Sequence, residues 1–77
     1  MALPNGFLER LDNPVVEVDR SVFLDRNGYW AKDWPDVVEV FVLFSDAVSY
    51  RITPTEFRAL TRAQKKKIRE APSSPLP

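Results

Sequence analysis

Residues Val37-Val38-Glu39-Val40-Phe41-Val42-Leu43-Phe44 form an almost unbroken apolar run. A short run of β-formers that is apolar on both sides belongs in the middle of a sheet. Everything else in the chain has to supply neighbours for it. After it, Ser45-Asp46-Ala47 reads as a turn, and Val48, Tyr50 and Ile52 alternate with Ser49 and Arg51. That alternation predicts a half-buried final strand, with a register that depends on whether the loop is odd or even in length.

Before the run, Val15, Val16, Val18, Val22 and Phe23 are strand formers and lead into Asp25-Arg26-Asn27-Gly28. Asn-Gly predicts a two-residue type I′ hairpin loop. That register pairs Arg26 with Tyr29, Asp25 with Trp30, Leu24 with Ala31 and Phe23 with Lys32. One face then shows Val22, Leu24, Tyr29 and Ala31, and the other shows Phe23, Trp30 and Trp34, with Asp25 near Lys32. Trp34-Pro35-Asp36 ends the strand, because proline cannot donate to a ladder. Nearer the start, the breakers Pro4, Asn5-Gly6 and Asn13-Pro14 bracket Phe7, Leu8 and Leu11, which predict one helical turn capped by Asn5.

Thr53-Pro54-Thr55-Glu56 is a helix start: threonine and glutamate at capping-box spacing, with proline at the first helical position. One helix to Glu70 or Ala71, stopping before Pro72, is the first expectation. Thr61 and Gln64 make a second box, so a break near Leu60-Thr61 is the alternative. The expected fold is α+β, an antiparallel meander of three or four strands with a C-terminal helix packed on one face. Val38, Val40, Val42, Phe44, Tyr50, Ile52, Phe57, Leu60 and Ile68 form the expected core. Residues 1–71 make one domain, since 77 residues leave no room for a second core. The Pro-Ser-Ser-Pro-Leu-Pro segment, 72–77, is expected to be a disordered tail.

The chain has no cysteine and no histidine. Disulfides, thiolate–imidazole zinc sites and the usual nucleophile–base pairs are therefore excluded. The two glycines make no phosphate loop, and no serine sits in a nucleophile elbow. No enzymatic activity and no cofactor are expected. No apolar stretch approaches the roughly 20 residues of a membrane span, so a soluble, cytoplasmic protein without membrane contact is expected.

Net charge is zero, but its distribution is polar. Residues 1–46 carry nine acids and four bases, and residues 47–77 carry seven bases and two acids, or −5 against +5. At 100° per residue, Phe57, Leu60, Thr61, Gln64, Ile68 and Ala71 share one side of the C-terminal helix. Arg58, Arg62, Lys65 and Arg69 lie nearly opposite, with Lys66 at the edge. A bland account is available, because every amphipathic helix has a solvated face and bases near a helix C-terminus complement its dipole. Against it, this stripe holds no acid. The second candidate is aromatic: Tyr29, Trp30 and Trp34, with Phe23, are residue types enriched at interface hot spots, although so small a domain also needs large side chains for its core.

These features together predict a small regulator or inhibitor that occupies a surface of a larger complex, using Arg58, Arg62, Lys65, Lys66, Arg69, Tyr29, Trp30 and Trp34 on an acidic protein partner. In scale and composition it is like the accessory proteins of phages and mobile elements, including inhibitors of CRISPR or host transcription machinery. A nucleic-acid-binding regulator using the basic helix is the alternative, disfavoured by the acidic N-terminal half. A homodimer or larger homo-oligomeric structural subunit is a third.

Overall fold

The computed structural model describes residues 3–71, so the expectation for the tail 72–77 lies outside the described residues. The elements in order are α1 (Phe7–Asp12), β1 (Val18–Leu24), a 3-10 turn (Trp34–Asp36), β2 (Glu39–Phe44), β3 (Ser49–Ile52), α2 (Pro54–Arg58) and α3 (Arg62–Glu70). The strands make one antiparallel sheet in the order β1-β2-β3. The apolar run is its central strand.

Strand alternation sorts the sheet into two layers. Val22 lies opposite Phe41 and Phe23 opposite Val40, while Phe41 pairs with Arg51 and Val42 with Tyr50. Val40, Val42, Phe44 and Ile52 thus point to the helices and are buried. Tyr50, on the same face, is half-buried against the core. The other face carries Arg20, Val22, Leu24, Glu39, Phe41, Leu43, Ser49 and Arg51. Val38 departs from the expected core: it is 49% exposed, and Val37 is buried in its place. β1 begins only at Val18, and Val15 stays exposed. The register slips between Val18 and Arg20, leaving Asp19 as a bulge.

The hairpin after β1 differs from the expected one. Gly28 is the sole residue of the loop at positive φ, 81°, whereas a type I′ turn needs two. The Gly28 amide donates to the Asp25 carbonyl (3.0 Å) and the Asp25 amide to that of Tyr29 (2.8 Å). This is a type I turn closed by a glycine bulge. Asp25 selects it, since its Oδ1 accepts from the amides of Asn27 (2.9 Å) and Tyr29 (3.1 Å). Leu24 consequently meets Trp30, not Ala31, in a single bridge, and no strand forms over 29–32. With its carboxylate committed to the turn, Asp25 makes no pair with Lys32.

The β2–β3 loop uses the same design. The amide of Ala47 donates to Phe44 and that of Phe44 to Val48, both at 2.9 Å, and Ala47 takes the left-handed position at φ 68°. A left-handed L-residue costs roughly 1–2 kcal/mol, partly offset by the greater unfolded-chain entropy of glycine. Ala47→Gly should therefore stabilise the protein by up to about 1 kcal/mol, raising the melting temperature by a few degrees. A thermal melt in which the variant unfolds several degrees earlier would refute this account of the loop.

The C-terminal helical segment takes the broken alternative, and both capping boxes are complete. Thr53 Oγ1 accepts from the Glu56 amide (3.1 Å) while Glu56 Oε1 accepts from that of Thr53 (2.8 Å). The corresponding Thr61–Gln64 distances are 3.2 and 2.9 Å. Threonine is a poor interior residue but a good cap, so the chain restarts a helix at Thr61 rather than carrying it through. The corner lets α2 lie on β2 while α3 crosses to β1. There the buried Ser21 hydroxyl donates to the Ile68 carbonyl at 2.8 Å, on the last turn of α3, where that carbonyl also accepts the Ala71 amide at 3.3 Å.

Helix α1 is capped by Gly6 at φ 83°, without a side-chain cap, and not by Asn5. A Cβ at Gly6 would stand 2.8 Å from Arg10 Nη1 and 3.2 Å from Tyr50 Oη. Arg10 needs that space, for it donates to Tyr50 Oη (2.6 Å) and pairs with Asp46 (3.0 Å), fastening α1 to the β2–β3 end of the sheet.

Candidate protein-binding surface

Phe57 is the centre of the candidate site. It is the buried residue of α2, and its ring stands 5.7 Å from that of Phe23 and 5.5 Å from that of Trp34. Phe23 in turn meets Trp30 edge-on at 6.4 Å and Trp34 at 6.1 Å. Phe23 on β1, Trp30 after the hairpin, Trp34 on the 3-10 turn and Phe57 on α2 thus make one aromatic cluster at the end of the helix-covered face. Phe57 closes its inner side, and both tryptophans remain half-buried.

Two arginines lie on these rings. The Arg58 guanidinium is 5.2 Å from the Trp34 centroid and that of Arg69 is 5.4 Å from the Phe57 centroid. Such stacking fixes otherwise mobile side chains and leaves their N–H forks outward. Arg69 has a further role in the layout. It lines a shallow concavity with Trp30, Lys32, Asp33 and Trp34, and it also borders the cationic concavity formed by Arg62, Lys65 and Lys66. The two features that the sequence offers separately are therefore one continuous surface, joined at Arg69.

Among the described residues, the only one of the five cations with an acidic partner is Lys66, 3.8 Å from Glu70 in a solvent-exposed pair. Exposed pairs of this kind contribute little. The break at Leu60-Thr61 also changes the electrostatics. Arg62 becomes the first residue of α3, whose first turn holds no acid. A cation at a helix N-terminus opposes the macrodipole, so helix stability does not explain Arg62. It explains Arg69, at the other end, well enough.

Tyr29 stands apart. It is 66% exposed at the hairpin and does not line the tryptophan concavity. Lys67 is a residue that the sequence reading passed over. Its ammonium donates to the carbonyls of Leu11 (2.7 Å), Asn13 (3.0 Å) and Val16 (2.9 Å), binding α3 to the N-terminal segment. Its neighbour Gln64 reaches Asp12 Oδ1 at 2.9 Å. Lys67 is thus a structural cation and leaves the outward face to the other five. Only its position on the inner flank of the helix, near Gln64 and Ile68, hints at this in the sequence.

Apart from Asp33 at the rim and Glu70 beside Lys66, the charged groups of the surface are donors, set beside half-buried indoles. That combination suits an acceptor-rich ligand that also carries an apolar side chain. Among the described residues there is no group of three or more acidic side chains placed to hold a metal ion, and no helix is long and apolar enough to cross a membrane. No family model, no curated protein and no solved structure matches this chain.

Proposed function

We propose that this protein is a binding module that regulates or inhibits a larger protein complex by covering an acidic patch on it with the Arg58–Arg69 and Trp30/Trp34 surface. The observation that carries this reading is the continuity at Arg69 between unpaired cations and half-buried tryptophans. Arginine and tryptophan are the residue types most enriched at energetic centres of protein interfaces, and Arg58 and Arg69 are held in place before any partner arrives. The acidic partner is favoured over a nucleic acid by the rings themselves. Guanidinium groups already lie against Trp34 and Phe57, where a single-stranded ligand would need open faces for base stacking. Asp33 at the rim adds repulsion toward a phosphate backbone.

The test is quantitative capture from a lysate, with and without nuclease, comparing the native protein with the Arg62→Glu/Lys65→Glu variant. Protein partners should persist through nuclease treatment and fall at least about tenfold with the charge reversal, equivalent to about 1.4 kcal/mol. The variant should melt within about 1 kcal/mol of the native protein, because both changes are at the surface and a carboxylate at position 62 suits the helix dipole. Capture of the same proteins by both forms would remove the basic face from the interface. Capture that disappears with nuclease, or binding that falls steeply with salt, would transfer the function to nucleic acid.

A further inference from the structure

The cationic concavity on α3 concentrates charge more tightly than a patch of ordinary carboxylates requires. Arg62, Lys65, Lys66 and Arg69 stand at positions i, i+3, i+4 and i+7 of α3, one stripe about 10 Å long. Each is three or four residues from two of the others, the spacing at which like charges on a helix repel. No acid lies between Arg62 and Arg69 in the chain, and Glu70 at the edge makes only an exposed pair with Lys66. The four side chains border one concavity of about 450 Å³. Positive charge is thus gathered around a single volume.

The neighbouring concavity differs in kind. Trp30, Ala31, Trp34 and Val37 make it largely apolar, and its own charges, Lys32 and Asp33, offset each other. Arg69 belongs to both concavities. Its guanidinium lies 5.4 Å from the Phe57 centroid, so a planar donor fork is set at the junction before a ligand arrives. The surface therefore suits one compact centre of negative charge with an apolar group directly beside it. A continuous acidic tract fits poorly, because its charge would extend over the tryptophans to Asp33.

Resting on the reading that this surface holds an acidic protein, we infer that the acid is a phosphorylated side chain of the partner. Its phosphoryl group sits among Arg62, Lys65, Lys66 and Arg69, and an apolar side chain of the same segment lies against Trp30 and Trp34. A phosphomonoester carries about −1.5 to −2 charges at neutral pH and three strong acceptor oxygens. One such group accepts from several of these donors at once, where a carboxylate brings a single charge and two oxygens. Two carboxylates crowded into the same volume repel each other. An extended segment advances about 3.3 Å per residue, so the apolar side chain falls within about three residues of the phosphorylated one. A kinase acting on the partner thereby switches the complex on, and a phosphatase switches it off.

Peptide libraries with a fixed central phosphoserine, phosphothreonine or phosphotyrosine and degenerate flanks test this against matching libraries centred on glutamate. The native protein should retain phosphopeptides at least about tenfold better than glutamate peptides. The retained peptides should be enriched in leucine, phenylalanine or tryptophan close to the phosphate. Arg62→Glu/Lys65→Glu should abolish retention with an unchanged circular dichroism spectrum, and Arg69→Gln makes the same test should that variant unfold. Equal retention of phosphorylated and glutamate peptides would overturn the phosphate while leaving an acidic protein partner in place. Phosphopeptide retention without apolar enrichment would overturn the joint site. Retention of neither library overturns the inference as well. Lysate capture that then persists through phosphatase keeps the broader reading, whereas capture unchanged by Arg62→Glu/Lys65→Glu removes both.

Discussion

Phe57→Ala should remove about 3–5 kcal/mol of stability, the range for truncating a buried aromatic ring. A domain of this size has about 4–12 kcal/mol in total, so this single change should remove between about a quarter and all of its stability. The magnitude follows from what the ring supports. Phe57 is almost fully buried and touches Phe23, Trp34 and the Arg69 guanidinium. Its loss opens a cavity that α2, only a turn and a half long, cannot fill by moving without breaking its capping box. Trp34 should become more solvated, visible as a red shift of its emission under conditions where folded protein remains. Phe57→Leu keeps most of the buried volume and should lose less, under about 2 kcal/mol. Urea titration of the three proteins decides the matter. A Phe57→Ala variant within about 1 kcal/mol of the native protein would mean that the ring is not the support described.

Lys67→Met should cost about 2–4 kcal/mol, an unusually large effect for a lysine. Methionine retains the length and apolar stem but removes all three donors. The carbonyls of Leu11 and Val16 are partly buried and would each lose a charge-assisted bond, at about 1–3 kcal/mol per unsatisfied acceptor. The Asn13 carbonyl is exposed and can turn to water, so it adds little. Lys66→Met is the control, since the neighbouring ammonium makes only an exposed pair with Glu70 and should change stability by no more than about 0.5 kcal/mol. Arginine at 67 should rescue only in part, because a planar fork cannot send three donors along the tetrahedral directions of an ammonium. In thermal melts the methionine variant should fall by on the order of 10–20 °C while the control stays near the native value. Equal melting of the two would show that the three contacts carry no net energy.

What the sequence revealed and what it concealed divide along the range of the interactions. The central strand, an antiparallel meander of three or four strands and the capping boxes at Thr53 and Thr61 were legible, because apolar period and capping chemistry are written within a few residues. The Thr61–Gln64 box belonged to that local text too, and it prevailed over the smooth amphipathic pattern that favours one long helix. The Asn27-Gly28 signal misled because it was read without Asp25, whose carboxylate two residues earlier offers the turn a different set of hydrogen bonds. Val38 misled because alternation was extended past the end of the strand. In the candidate surface, the basic stripe was visible as a spacing. That Arg69 touches both the stripe and the tryptophans was not, since Trp30 and Trp34 reach it only through tertiary packing. Lys67 was concealed for the same reason: its partners are 51 to 56 residues away along the chain, beyond any pattern of periodicity.

That separation has a kinetic consequence. The strands pair across connections of 14 residues (β1 to β2) and four residues (β2 to β3) and can form early, whereas the contact of Lys67 with Leu11, Asn13 and Val16 closes a ring of 51 to 56 residues, and loop entropy delays such closures. An interaction made after the folding barrier is felt almost entirely on the way out. Without its ammonium the protein should refold at nearly the native speed and unfold many times faster, so that this one lysine acts chiefly as the latch that determines how long a folded molecule persists.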